Sequence, residues 1–204
     1  MKKIDIKEIP EGDSRFEYTI GGGDNLTLLL LSLGRKNAAV DLAIRLIGRG
    51  ATASIVGIVV GQGESKIKLH TLQHHMAPET TSNLLVKTVL TDSATCMYDG
   101  GIFVEKGAQK TDAYQRNENL LLSSDAHAES KPSLEILAND VRCTHGATVG
   151  KIPEDQLWYL ATRGIGEKKG QGIIVSGFLE SALGGLEHTT IIETIKSKIA
   201  ASLA

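Results

Sequence analysis

Between Ala38 and Gln73 the chain reads AAVDLAIRLIGRGATASIVGIVVGQGESKIKLHTLQ, an apolar–polar alternation broken by glycines at 48, 50, 57, 61 and 63. Period-two alternation is the mark of strands, and glycines at this density argue against any long helix between them. Val40, Leu42 and Ile44 fall on one strand face, and Ile67 and Leu69 on another. The rhythm of strand, glycine turn, strand returns in NLLVKTVLTDSATCMYDGGIFVEKGAQKTDAYQRNENLLLSS. Short strands at near-even spacing fit a β-sandwich, a barrel or a β-solenoid. The phrases IGRGA, VGQGE, VEKGAQ and CTHGAT each place a glycine before a small or polar residue, as solenoid corners would. No strict hexapeptide period is present, which argues against the left-handed β-helix of acyltransferases.

The flanks extend this reading. Residues 1 to 16 mix charge with Ile4, Ile6 and Ile9 before Pro10 and Gly12, the pattern of a short edge strand or arm. Gly21 to Gly23, with Asp24 and Asn25, mark a turn, and LTLLLLSL after it is a strand too apolar for a one-sided sheet. The glycine triplet lacks the Lys-Ser/Thr of a phosphate loop and the spacing of a dinucleotide fingerprint. From Ile152 onward the pattern becomes helical. Pro153 suits the first helical position, Glu154 and Asp155 the first turn, and Leu157, Leu160 and Ala161 one face. After a Gly- and Lys-rich connection at 164–172, IIVSGFLESAL and HTTIIETIKSKIAASLA keep helical spacing, with Ile191, Ile192, Ile195 and Ile199 in a stripe. The expected division is a β domain over 1–152 and a three-helix segment over 153–204.

Composition removes several classes of function. A net charge of -2 over 204 residues gives no basic footprint for nucleic acid. Met1 to Pro10 is charged and lacks the apolar stretch of a signal peptide, and no apolar run is long enough to span a bilayer. Two cysteines make no disulfide framework. A cytoplasmic protein is expected.

The chemistry concentrates in Glu135 to Gly150, EILANDVRCTHGATVG, read as a strand breaking into a turn at Gly146. On an extended strand Cys143 and His145 project to the same side. A thiolate beside an imidazole suits iron–sulfur or zinc chemistry, and Glu135 is a candidate oxygen ligand or polar partner for His145. Two ligands are half a set.

Three blocks over about eighty residues, GAQKTDAYQRNENLLLSSDA, KPSLEILANDVRCTHGATVGKI and DQLWYLATRGI, resemble the SufB/SufD family of iron–sulfur cluster assembly scaffolds. The resemblance implies a right-handed parallel β-helix with a helical C-terminal segment. It implies a dimer, homodimer or SufB/SufD-type heterodimer, with a SufC-like ABC ATPase on the helical end and a transient iron–sulfur cluster near the subunit interface. DVRCTHGATVG is similar to the SufD version, so Cys143 and His145 carry over by position. No cysteine stands at Asn117 to Asn119, where the SufB scaffolding cysteine would fall. The chain is about half the family's usual length, and the expectation is a compact member.

The remaining candidates have plainer readings. Cys96 has no ligand near it in sequence and lies just before a turn. His70, His74 and His75 are expected in a surface loop. Asp112, Tyr114, Gln115 and Asn117 are read as corner residues, and Trp158 and Tyr159 as anchors for the first helix or part of a partner groove. The chain has no Walker A sequence, so ATP hydrolysis would belong to a partner. No pair of acids among the strands supports a carbohydrate-cleaving solenoid. A scaffold, not an enzyme, is the expectation, with a module that links the ATPase to another scaffold subunit without holding metal as the alternative.

Overall fold

The computed structural model describes residues 1–34, 36–184 and 189–203. The strands are β1 (Lys2–Glu8), β2 (Gly12–Ile20), β3 (Asn25–Gly34), β4 (Ala38–Leu46), β5 (Thr52–Gly61) and β6 (Lys66–His75). They continue as β7 (Thr81–Leu90), β8 (Thr95–Val104), β9 (Thr111–Leu121), β10 (His127–Ile136) and β11 (Val141–Lys151). Consecutive strands alternate between two sheets, ordered β1-β3-β5-β7-β9-β11 and β10-β8-β6-β4-β2, and the pairing throughout is parallel. The result is a parallel β-solenoid. Asn25, Thr52, Thr81, Asp112 and Arg142 lie one above another along it.

The interior lies between the sheets. Leu28 and Leu30 of β3 meet Val40, Leu42 and Ile44 of β4 and Ile67 and Leu69 of β6 there. The two faces read separately from the sequence thus turn to one core. Leu29 and Leu31 point the other way, into a second cluster with Val56, Ile58 and Val60 that is covered by Val175, Leu179, Leu183, Ile195 and Ile199. This is why LTLLLLSL is apolar on both faces: helices roof the outer side of that sheet.

Helix α1 (Glu154–Thr162) follows β11 directly, then α2 (Glu167–Glu180), a 3-10 turn at Ser181–Leu183 and α3 (Thr189–Leu203). Pro153 caps α1 rather than opening it, with Glu154 and Asp155 in the first turn as read. Of the connection expected at 164–172 only residues 164–166 lie outside a helix, because α2 begins at Glu167. Ile195 and Ile199 are buried against the sheet and Ile192 packs beside them, while the side chain of Ile191 lies outside the described residues. No helix among the described residues is long and apolar enough to cross a membrane.

IGRGA, VGQGE and VEKGAQ do lie at or beside corners. Gly48 is required by contact: a Cβ there would come within 2.0 Å of the Gly22 nitrogen in the neighbouring turn. Because the obstacle is backbone, Gly48→Ala is expected to cost about 1–3 kcal/mol, read as a lower urea midpoint at unchanged slope.

Several expectations fail here. CTHGAT is no corner and Gly146 makes no turn, because both lie within β11, whose ladder runs unbroken beside β9. His70, His74 and His75 are on β6, not in a loop. His70 binds Asp41 at 3.0 Å, His74 binds Glu105 at 3.0 Å, and His75 is fully buried between the Thr80 and Ser82 hydroxyls at 2.8 Å each. Tyr114, Gln115 and Asn117 are mid-strand on β9, while Asp112 is its second residue, beside the corner; Trp158 and Tyr159 are 70% and 55% exposed, so among the described residues neither is packed as an anchor against the solenoid.

Candidate functional site

The last coil is where the candidate ligands lie. β10 pairs only with β8 and β11 only with β9, so each leaves one edge free among the described strands. On β11 the row Val141, Cys143, His145, Ala147 and Val149 stacks over Thr111, Ala113, Gln115, Asn117 and Asn119 of β9. Those β9 residues are buried, so the β11 row continues the interior wall to the end of the stack. Cys143 is half-buried against the cluster of Ile102, Val104, Ala108, Ala113 and Ala138. His145, two residues further on, is exposed.

Cys143 and His145 therefore share a face, as the strand period requires. Burial pushes the Cys143 thiol up, a backbone hydrogen bond from Ala113 opposes it, and Asp112 adds to the rise. A metal that binds this sulfur has to displace a proton. The His145 side chain has no hydrogen-bond or ion-pair partner among the described residues. Glu135 is elsewhere: it is exposed on the outer side of β10, beside Phe103, while its neighbours Leu134 and Ile136 stack over the interior residues Ile102 and Val104. Among the described residues no three His, Cys, Asp or Glu side chains form a group able to hold a metal ion. Cys96 is no part of the site, being 1% exposed on β8 with its thiol pushed up to about 12 by burial.

Beneath the row lies a polar network that sequence reasoning assigned to corners. Asn119 donates to Asn117 Oδ1 at 2.7 Å, to the Thr148 carbonyl at 3.0 Å and to Ser130 Oγ at 3.2 Å, which ties β9, β10 and β11 together. Gln115 donates to the Gly100 carbonyl at 3.1 Å and accepts from Gln73. Gly100 makes this possible, since a Cβ there would come within 2.4 Å of the Gln115 amide. The signal was present as polar residues at 115, 117 and 119, the period of one strand face. Around the network, Leu134 and Ile136 are each 37% exposed and Leu137 and Val149 each 50%, an apolar rim at the end of the solenoid.

A family model described as "SUF system FeS cluster assembly, SufBD core domain" matches residues 16–178, which takes in most of the solenoid, the last coil and the first two helices. The chain belongs to the SufB/SufD family. It is similar to the iron-sulfur cluster assembly protein SufD of Escherichia coli (strain K12), 32% identical over 159 residues, which is 78% of this chain and 38% of the relative. It is similar also to SufD of Bacillus subtilis (strain 168), 30% identical over 215 aligned residues, 95% of this chain and 48% of the relative. A plant protein, ABCI7, chloroplastic, of Arabidopsis thaliana, is 31% identical over 155 residues, 74% of this chain and 32% of the relative. This SufB/SufD-family chain thus spans less than half the length of these curated relatives.

Proposed function

We propose that the chain is a non-catalytic scaffold of cytoplasmic, SUF-type iron–sulfur cluster assembly, with the cluster as cargo held between two subunits. The observation that carries this is Cys143 beside His145 on the last coil, whose outer edges are free among the described strands, within a match to the SufBD core domain. A two-fold axis through that end brings the same patch from both subunits together, so two thiolates and two imidazoles make four ligands. The apolar rim and the free edges of β10 and β11 supply the contact, and a SufB-type sister chain in place of the second copy would use the same surface. Glu135, on the outer side of β10, is assigned to the rim of that interface. The core over 1–152 carries the cluster face. The helical segment over 153–204 carries the ATPase face, with Trp158, Tyr159 and Ile173 exposed for a SufC-like ABC ATPase.

Anaerobic iron and sulfide are expected to give the wild type a visible sulfide-to-iron absorption, and Cys143→Ser to lose it. An unchanged band in Cys143→Ser removes the ligand assignment. One observation favours a second reading, a linking module without metal: a single chain holds no group of three ligands among its described residues. That reading expects no band, and ATPase co-purification that survives Cys143→Ser with His145→Ala.

A further inference from the structure

The two ends of the solenoid are built differently. At the C-terminal end the interior row carries Val141, Cys143, His145, Ala147 and Val149 on β11 and Leu134 and Ile136 on β10. At the N-terminal end, Lys3, Asp5 and Lys7 of β1 stack over Leu26, Leu28 and Leu30, so these three charged residues occupy interior positions of the first coil. Across from them Phe16 and Tyr18 of β2 stack over Leu42 and Ile44. The Tyr18 hydroxyl donates to Asp5 Oδ2 at 2.8 Å, Lys7 Nζ lies 3.4 Å from the same oxygen, and Lys3 Nζ stands 5.4 Å from the centre of the Tyr18 ring. Burial works against the Asp5 carboxylate, yet Tyr18, Lys7 and Lys3 together outweigh it and hold the carboxyl below its ordinary range.

We propose that Lys3, Asp5, Lys7 and Tyr18 form a polar cap that stops the last coil of a second copy from stacking head-to-tail on the first coil. Parallel strands with free edges can add copies without limit, since a head-to-tail contact does not close. Stacking on β1 would take two ammonium groups and one carboxylate out of water under a row that holds no carboxylate, leaving a net positive charge without a partner. On the C-terminal interior row the only Lys, Arg, Asp or Glu is Lys151, the last residue of β11, over Leu121, whereas at the N-terminal end three charged residues occupy the middle of the row, so the ends are not interchangeable. Association is directed to the C-terminal end, where like meets like and the contact closes at two copies. The last step rests on the pairing proposed above; the cap itself does not.

Sedimentation velocity over a range of concentrations tests this with Lys3→Val, Asp5→Val and Lys7→Val combined. The wild type is expected to stop at two chains, and the triple variant to gain mass with concentration. Adding Leu134→Lys and Val149→Lys at the other end is expected to abolish that growth, which non-specific clumping would survive. If the triple variant loses its β-rich circular dichroism, Lys3→Thr with Lys7→Thr keeps the Tyr18–Asp5 bond and makes the same comparison. A folded variant that stays at the wild-type mass overturns the cap, as does growth that the C-terminal lysines leave intact. A single-chain wild type with a stacking variant overturns the pairing and leaves the cap standing.

Discussion

Lowering the pH from 6.5 toward 4 is expected to remove about 3 kcal/mol of stability through His75 alone. Burial, and to a smaller degree the neighbouring His74, hold the folded His75 near a pKa of about 4, against an ordinary value of 6.5. The hydrogen bonds assign the proton. Thr80 Oγ1 donates to the Ala77 carbonyl and so accepts from His75 Nδ1–H, leaving Nε2 to accept from Ser82. An added proton on Nε2 would face a hydroxyl that has to turn, inside a core without water-facing surface. The sign follows from the depressed folded value. The unfolded chain takes up the proton first, so stability is complete above pH 6.5 and declines as the pH falls toward 4. Urea midpoints at several pH values between 6.5 and 5 leave the carboxylates out, because most remain ionised there, and comparison with His75→Gln separates this histidine from the other five. His75→Gln is expected to lose stability at neutral pH and to flatten the slope in that window. An equally steep slope in His75→Gln assigns the effect to another group.

Glu118→Ala is expected to destabilise the protein by about 3 kcal/mol or more. Glu118 and Lys87 are register partners on the outer side of β9 and β7, under the helical roof, with 11% and 9% of their side chains exposed and 2.8 Å between Nζ and Oε2. Lys87 also donates to Ser181 Oγ at 2.7 Å and sits 4.4 Å from the centre of the Phe178 ring, while Arg116 pairs with the other Glu118 oxygen. Removing the carboxylate leaves an ammonium in a place where the same row carries Leu31 and Ile58 on the neighbouring strands. The penalty comes from that orphaned charge more than from the lost attraction. Lys87→Met with Glu118→Leu is accordingly expected to recover most of the loss, since both positions then match the apolar row. A double variant as unstable as Glu118→Ala would show that the pair itself holds the helices down.

How far the sequence could be read depended on whether the interior stayed apolar. On β3 and β4 it does, and alternation located the strands and their faces. On β6 the interior row runs Ile67, Leu69, Thr71, Gln73 and His75, turning polar half-way. Apolar residues therefore stop marking the inside, and three histidines of one strand looked like a loop. The same change on β9 sent Gln115 and Asn117 to imagined corners, although both bond backbone carbonyls from within the sheet stack. Glycine misled for another reason. Gly48 sits in a turn and Gly146 in mid-strand, and only the contacts around each distinguish the two, with Gly48 pressed on Gly22 and Gly146 open on its outer side. The Cys143–His145 pair was legible because period two alone sets it. The position of Glu135 relative to the pair depended on which sheet β10 joins, and that is a property of the whole stack.

Native mass spectrometry of the anaerobically reconstituted protein tests the shared half-site most directly. The account predicts one cluster on the two-chain species, none on the single chain, and none on Cys143→Ser. A cluster carried by the single chain, or retained by Cys143→Ser pairs, would contradict it.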